Sequence, residues 1–237
     1  RGLAREIVAK LGQKLKPLPI IKWKSPSALV SPSIESFADA SGFAACLVQG
    51  VTVKPTPASW QSFLSTNSAR SISNLVDVTN IVLFEIGHPI HFFDAEKVDA
   101  KTIGVRRARE GERLTLLNDQ TIDLHPDDLV IADASGPLSL AGVMGGKASS
   151  VTEVTKSILI EAASFNPALI RATARRHNIS SESSYRFERG VTPHRLDEVI
   201  ERALALVKDL SGFERAEGSK VVNKDLILKG VLWDRAR

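Results

Sequence analysis

Glu161 has the most distinctive chemistry in the sequence, because it is an acid that directly follows the apolar run SILI. A carboxylate that is buried in a strand costs free energy unless it is paired or hydrogen-bonded. A nearby arginine is the more common partner for such an acid. The alternative is a ligand hydroxyl that donates a hydrogen bond to the carboxylate at the mouth of a sheet. The residue itself leaves both interpretations open.

Three other polar residues lie where a pocket can use them. His91 falls in the segment GHPIHFFD, between prolines and aromatic residues. It can position water or a ligand, or it can pack in the core with its nitrogens bonded to the backbone. Thr79 and Asn80 fall inside a predicted helix, where short polar side chains are unfavourable unless they are used. Asn80 therefore faces a pocket or fastens a neighbouring loop.

Two groups of small residues are able to bring backbone close to a bound molecule. Gly142, Gly145 and Gly146 permit such an approach, although a tight turn or bulge is the more common reason for glycine. The loop 180–184 reads SSESS, which suits a pocket wall as well as ordinary surface. Composition does not separate these interpretations.

The usual nucleotide and metal motifs are absent from the sequence. The string AGVMGGKAS superficially suggests a phosphate loop, but Ala141 stands where the first glycine is required and Ala148 where a hydroxyl must bind magnesium. No G-x-G-x-x-G follows a strand, and there is no G-x-S-x-G elbow. The histidines and Cys46 show no zinc spacing. We therefore predict no metal site and no cofactor in this part of the protein.

Composition is that of a soluble globular protein. The 237 residues are 43% hydrophobic and 24% charged, and no apolar run approaches the roughly 18 residues of a membrane span. The single cysteine, Cys46, has no partner for an internal disulfide and fits a reducing compartment. The opening residues carry charges but no signal peptide. We therefore expect a segment of a longer, cytoplasmic chain.

The net charge of +4 is unevenly distributed. Residues 1–24 carry +6, and residues 171–195, with six arginines, carry +4, so the remainder carries −6. A basic cluster on an acidic body suggests a polyanion partner. Internal ion pairs and a solvated helix face are the more common explanation of such a pattern.

The sequence predicts short strands in the middle of the chain and helices around them. Ser73 or Asn74 caps a helix that Gly87 closes. Thr192-Pro193 opens a final helix whose apolar residues recur at i, i+3, i+4 and i+7. The remaining predicted elements are helices over 1–12, 58–66 and 167–177, an extended connector over 16–33, strands over 44–54, 102–107, 129–133, 137–143 and 157–163, and a hairpin over 113–124.

The order of these elements predicts the fold class. Strands do not alternate regularly with helices, which disfavours a doubly wound parallel sheet. We predict an α+β fold, in which mixed and antiparallel sheets of short strands pack with several helices as one compact unit. Residues 1–34 are expected to form a helical segment and a proline-rich connector, residues 35–215 the compact unit, and residues 216–237 a linker to a next domain.

Four ordered segments resemble one protein family. They read ISNLVDVTNIVLFEIGHPIHFFD, LSLAGVMGG, SILIEAASFNPALIRATARRH and SYRFERGV. Their order and spacing are similar to the third and fourth domains of the β chain of bacterial-type phenylalanyl-tRNA synthetase. The similarity runs from about residue 33 to 215 and is most specific over 70–195. The opening RGLAREI resembles the segment that precedes this unit in the family.

The resemblance implies a proofreading site, which hydrolyses tyrosine wrongly esterified to the phenylalanine tRNA. By position, Glu161 would recognise the tyrosine hydroxyl as an ionised hydrogen-bond acceptor. His91, Thr79 and Asn80 would line the pocket near the ester and help to place the attacking water. No metal and no nucleophilic serine would be needed, because the substrate is an activated ester.

The resemblance also assigns the pocket walls. Gly142 would offer backbone contact to the substrate, and Arg70 would lie at the entrance near the tRNA end. Ser181 and Ser183 would form a wall of small residues. The family usually has alanine at the position of Ser183; serine stays small, so we expect the pocket to remain open.

The family implies partners for the whole enzyme. Its α chain binds ATP, magnesium and phenylalanine, and α and β chains form an (αβ)₂ assembly in the cytoplasm. For the present chain the implied partners are tRNA(Phe), the α subunit and tyrosine as the editing ligand, with no membrane. An alternative function is a non-catalytic RNA-binding or scaffolding module of the synthetase, whose pocket is silent.

Overall fold

The computed structural model describes residues 1–223. Its helices are α1 (Gly2–Lys10), α2 (Ala58–Thr66), α3 (Asn74–Ile86), α4 (Pro167–Arg176), α5 (Glu182–Phe187) and α6 (Leu196–Leu210). Its strands are β1 (Ser33–Ile34), β2 (Ala40–Gln49), β3 (Ile90–Asp94), β4 (Gly104–Arg107), β5 (Arg113–Thr115), β6 (Thr121–Asp123), β7 (Leu129–Asp133), β8 (Gly136–Leu140), β9 (Met144–Gly145), β10 (Ser157–Phe165) and β11 (Arg215–Val222). The helices and the mixed and antiparallel sheets confirm the predicted α+β fold.

Four antiparallel strands form the central sheet, in the order β11-β2-β10-β3. β10 lies inside this sheet because its sequence is apolar enough to be buried on both faces. Side chains alternate between the two faces of a strand. Ile158 and Ile160 pack on the side of α3 and α6, whereas Leu159 and Ala163 pack on the side of the second sheet. Glu161 shares the parity of Leu159 and therefore faces the second sheet.

The second sheet has the strand order β1-β4-β7-β8-β9, and only β1 and β4 in it run parallel. Between β8 and β9 the chain reverses at Gly142, whose φ of +68° favours glycine. A Cβ at Gly142 would lie 3.0 Å from the ring of Phe165 in β10. The reversal therefore packs directly against the central sheet.

Local sequence signals determine the helices on the outer face of the central sheet. The Ser73 hydroxyl accepts a hydrogen bond from the N–H of Val76 and caps α3, and Gly87 ends α3 with a φ of +80°. α6 buries the apolar stripe that its spacing predicts. The end of α3 thus leads directly to β3, which contains His91. No helix in residues 1–223 is long and apolar enough to cross a membrane.

Four strands lie where the sequence predicts none, namely β1, β3, β9 and β11. β1 and β9 have only two residues each, which is too short for a periodic signal, and β3 follows directly on Pro89. β11 has the polar sequence RAEGSKVV, and it forms because it pairs along the edge of β2. Residues 216–222, which the sequence assigns to a linker, therefore belong to the central sheet. The rest of that predicted linker, residues 224–237, lies outside the described residues.

Two predicted strand boundaries also shift. The strand predicted over 44–54 begins at Ala40 and ends at Gln49, since Gly50 leaves the sheet with a φ of +79°. The strand predicted over 137–143 ends at Leu140, because the chain turns at Gly142. The turn thereby brings Gly142 against Phe165 of β10, while the Ala141 N–H still donates to the Leu129 carbonyl of β7.

Candidate functional site

Glu161 is a buried acid without a partner. It lies in the middle of β10, opposite Ala45 of β2 and His91 of β3, and is 5% exposed. Its Oε1 atom has no hydrogen-bond partner, and no lysine or arginine of residues 1–223 forms an ion pair with it. Burial raises the pKa of Glu161 to about 8. The arginine partner that the sequence left open is therefore absent from the described structure.

A cavity of about 100 Å³ lies against Glu161, between the two sheets. The central sheet contributes Glu161 and His91, and α5 contributes Ser183 and Phe187. The other lining residues come from the start of β3 with the proline before it and from the second sheet with its β8–β9 turn: Pro89, Ile90, Ile131, Ser139, Leu140, Gly142, Val143, Met144 and Gly145. Three sequence-predicted substrate-binding residues, Glu161, Gly142 and Ser183, thus share one cavity.

His91 is held between two neighbours and keeps a free nitrogen. Its ring meets Phe93 edge-on, with 4.6 Å between the ring centroids. A Cβ at Gly145 would lie 2.5 Å from His91 Cε1, so the ring packs directly on the backbone of β9. The Nε2 atom of His91 is buried without a hydrogen-bond partner. Burial lowers the pKa of His91 to about 4, so the imidazole is neutral at pH 7.

Thr79 and Asn80 line a second cavity of about 420 Å³, which also borders His91. The Thr79 hydroxyl donates a 2.7 Å hydrogen bond to the Val76 carbonyl within α3. Asn80 is half-buried, and its amide makes no hydrogen bond to another described residue. His91 therefore stands between a small cavity that contains Glu161 and a larger one that contains Asn80.

Ser181 and Arg70 do not line either cavity. Ser181 caps α5 by accepting a hydrogen bond from the Ser184 N–H, and its hydroxyl donates a 2.7 Å bond to the Val143 carbonyl. It thus fixes the turn that forms one wall of the cavity, rather than forming the wall itself. Arg70 is exposed in the loop between α2 and α3.

Nine residues that line the cavity were not predicted as site residues, among them Ser139, Met144, Gly145 and Phe187. Ser139 is 4% exposed, and its hydroxyl makes no hydrogen bond to another residue in 1–223. Its position between two leucines of a predicted strand gave no signal of this burial, because alternation places it on the face opposite to theirs. Phe187 follows Ser183 by one helical turn, and Met144 and Gly145 form β9.

Most arginines of the basic segment 171–195 are used inside the protein. Arg186 pairs with Glu182, Arg189 with Glu188, and Arg195 with Glu198. Arg176 pairs with the buried Asp128, and Arg171 donates to the Glu188 carbonyl. Arg175 makes no ion pair within residues 1–223. Internal pairing thus accounts for most of this charge.

No group of three or more His, Cys, Asp or Glu side chains in the described part is arranged for a metal ion.

The fold and the site define the class of protein. The B3/4 domain family matches residues 39–212, and the chain belongs to this family. The span covers β2 to β10 and α2 to α6, including both cavities.

Curated relatives make the likeness more particular and confirm the resemblance read from the sequence. The phenylalanine–tRNA ligase β subunit of Anaeromyxobacter dehalogenans is 42% identical over 243 residues, which cover 99% of this chain and 30% of that protein. The β subunit of Moorella thermoacetica is 41% identical over 220 residues, 92% of this chain and 27% of that protein. The chain thus spans less than a third of the length of these relatives.

A solved structure shows a weaker likeness. It is an N-terminal fragment of the phenylalanyl-tRNA synthetase β subunit from Pyrococcus horikoshii, with 18% identity and a TM-score of 0.45. The match covers 74% of this chain and 56% of that chain. A score at this level carries no argument about the site.

Proposed function

We propose that this chain hydrolyses tyrosine that is wrongly esterified to tRNA(Phe), as the editing part of a phenylalanine–tRNA ligase β subunit. The observation that carries the proposal is the unpartnered Glu161 carboxyl in the wall of a small cavity. A buried polar group without a partner costs free energy, so a ligand hydroxyl that satisfies it binds preferentially.

The cavity suits an aromatic ring that carries a hydroxyl. A cavity of roughly 150 Å³ is known to hold a benzene ring, whereas the present one measures about 100 Å³, so its walls must move apart to admit a phenol ring. Apolar side chains such as Ile131, Leu140 and Phe187 contact the ring faces, and Glu161 receives the hydroxyl. Phenylalanine fills the same space but leaves the acid unsatisfied. An apolar synthetic site rejects an added hydroxyl only by about 100-fold, so a second site that requires the hydroxyl for binding would increase the discrimination against tyrosine.

The charge state of Glu161 differs from the ionised acceptor that the resemblance implies. With a pKa of about 8, the carboxyl of the empty cavity is mostly protonated at pH 7. A protonated carboxyl offers one donor and one acceptor to a phenol hydroxyl, and an ionised one offers acceptors only. Both forms recognise the hydroxyl, but the ionised form accepts the stronger, charge-assisted hydrogen bond, so we expect the bound phenol to favour loss of the carboxyl proton.

His91 and Asn80 fit the handling of water at the ester. The neutral His91 imidazole has an unpartnered Nε2 and borders both cavities. With the ester carbon bound where the two cavities meet, His91 is able to hold the attacking water beside it. Asn80 adds amide groups on the side of the larger cavity. Water attacks the ester carbonyl, the bond to the ribose oxygen breaks, and the ribose oxygen takes the proton. The N–H groups of Ala141 and Val143 bond to backbone carbonyls, which leaves the Gly142 N–H as the donor of this turn that would stabilise the developing oxyanion.

The proposal is tested by Glu161→Gln and His91→Ala in the complete enzyme. Both variants should release tyrosine from mischarged tRNA more slowly, by about 10- to 100-fold for Glu161→Gln, which corresponds to one hydrogen bond of roughly 1.5–3 kcal/mol. The ratio of tyrosyl to phenylalanyl ester hydrolysis should also fall in Glu161→Gln.

Asp127→Ala is the matched control, because Asp127 is an exposed acid far from the cavity lining. It should release tyrosine at the wild-type rate. Wild-type release by both Glu161→Gln and His91→Ala contradicts the editing function and leaves the non-catalytic RNA-binding or scaffolding module.

A further inference from the structure

The short helix α5 separates the editing cavity from a surface cleft. Ser183 and Phe187 of α5 line the cavity. Ser184, Tyr185 and Glu188 of the same helix line a cleft of about 230 Å³, whose other wall is the end of α4 and the residues after it. The cleft therefore lies one helix width from the cavity that contains Glu161.

Tyr185 forms an ordered aromatic surface on this cleft. It is the one tyrosine in the sequence and is 55% exposed. The Arg189 guanidinium carbon lies 3.6 Å from the centroid of its ring, and the Arg189 side chain also donates a 2.6 Å hydrogen bond to the Tyr185 carbonyl. These contacts hold the ring in place from one side and restrict its rotation. An exposed aromatic side chain that is already ordered loses little entropy when a flat group stacks on it.

The opposite wall of the cleft supplies a free positive charge. Arg175 is exposed at the last turn of α4 and forms no ion pair with any residue of 1–223. The other two arginines of α4 already have partners, since Arg171 donates to the Glu188 carbonyl and Arg176 pairs with Asp128. Asn178 and Ser180 add uncharged polar groups to the same wall.

We propose that Tyr185 and Arg175 bind an unpaired nucleotide of the RNA whose esterified end enters the cavity. The inference rests on the proposed editing function and assigns the path of the RNA over α5. Bases of single-stranded RNA stack on aromatic side chains, and arginine binds the adjoining phosphate. A lone aromatic residue among polar groups suits this role better than a protein interface, whose centre is a larger apolar patch.

The test measures the affinity of the full 237-residue chain for a short, fluorescein-labelled single-stranded RNA by anisotropy. Tyr185→Ala should weaken binding by about 10-fold or more, as expected for loss of one stacked base. Tyr185→Phe keeps the ring and should bind within about twofold of wild type. Arg175→Gln should weaken binding and lower its dependence on salt by about one counterion. Arg109→Gln, at an exposed arginine outside the cleft, is the control and should not change the affinity.

Several outcomes overturn the inference. The first is that wild type and Tyr185→Ala bind the RNA with equal affinity. The second is that Tyr185→Phe loses RNA binding, and the third is that wild type does not bind the RNA at low salt. If Tyr185→Ala keeps the wild-type affinity for RNA but no longer associates with another synthetase chain, the surface is a protein interface instead. Glu161→Gln should bind the RNA normally, so its rate of tyrosine release tests the editing function separately.

Discussion

Two buried carboxylates in this protein have opposite surroundings. Asp128, just before β7, is fully buried and has a complete set of partners. It accepts hydrogen bonds from the Thr173 hydroxyl at 3.0 Å and the His125 N–H at 2.9 Å, lies 2.6 Å from His177 Nε2, and pairs with Arg176. Glu161, in β10, is almost as deeply buried and has no partner among the described residues.

The pKa values of the two acids follow these surroundings. Burial acts to raise the pKa of Asp128, but the hydrogen bonds from His177 and His125 outweigh it, so the pKa lies below its usual range. Burial acts alone on Glu161 and raises its pKa to about 8. Asp128 therefore holds α4 against the second sheet, whereas burial of the unpartnered Glu161 lowers the stability of the fold.

The largest expected effect is the removal of the partnered acid. Asp128→Ala leaves Arg176, His177 and Thr173 without their acceptor and should lower the free energy of unfolding by about 3–5 kcal/mol. Urea unfolding measures this value. Asp127→Ala, which removes the exposed contacts of this carboxylate with Arg107 and His125, should change it by less than about 1 kcal/mol. Equal effects of the two variants contradict the structural role of Asp128.

Removal of the unpartnered acid should have the opposite sign. Glu161→Leu replaces an unsatisfied polar group by an apolar one and should raise the free energy of unfolding by about 1–2 kcal/mol. Glu217→Leu is the control, because Glu217 is also buried but accepts from Ser27 and pairs with Lys24. It should lose stability. A clear loss of stability in Glu161→Leu shows that Glu161 has a partner after all.

The two acids should also give opposite dependences on pH. Glu161 has a pKa of 4.5 when unfolded and about 8 when folded, so the folded state keeps a proton that the unfolded chain has released between these values. Wild type therefore loses stability as pH rises through this window, by at most about 1.4 kcal/mol per pH unit, and Glu161→Gln does not. Asp128 contributes stability above its unfolded pKa, and this is lost as pH falls through its lower folded pKa.

Unfolding of wild type and Glu161→Gln at several pH values tests this prediction. The difference between their free energies of unfolding should grow from pH 4.5 to pH 8. A constant difference means that Glu161 ionises in the folded protein as readily as in the unfolded chain.

The smallest effect is expected from Ser183→Ala. Ser183 lines the same cavity as Glu161, but no hydrogen bond joins the two. The variant should change the free energy of unfolding by less than about 0.5 kcal/mol and leave tyrosine release near the wild-type rate. A larger loss in either measurement indicates that the serine hydroxyl is a partner of the acid, which weakens the contrast with Asp128.

The sequence predicted those elements whose signals are local. Ser73 and Gly87 mark the ends of α3 through capping and a left-handed turn, and α6 follows from its apolar spacing. The hairpin β5–β6 follows from Asn118-Asp119, where Asp119 has a φ of +67°. Each of these signals involves residues that are close together in sequence, so it can be recognised before the tertiary structure is known.

Two features that depend on contacts between distant residues were not predicted. β11 is polar and forms because the edge of β2 is available 170 or so residues earlier in the chain. Ser181 looked like a pocket residue, but its hydroxyl is bonded to the Val143 carbonyl across the fold. The reason is the same in both cases, since a hydrogen bond between residues far apart in sequence leaves no local pattern.

The sequence by itself determined the fold class, the capped helices and the presence of an acid inside an apolar strand. It did not determine whether that acid had a partner, because arginines are available in the chain and only their positions decide which acids they reach. The tertiary structure assigns Arg176 to Asp128 and leaves Glu161 facing a cavity with His91. Burial without a counter-charge then sets the pKa of that carboxyl, and this depends on the packing of two sheets that come from distant parts of the chain.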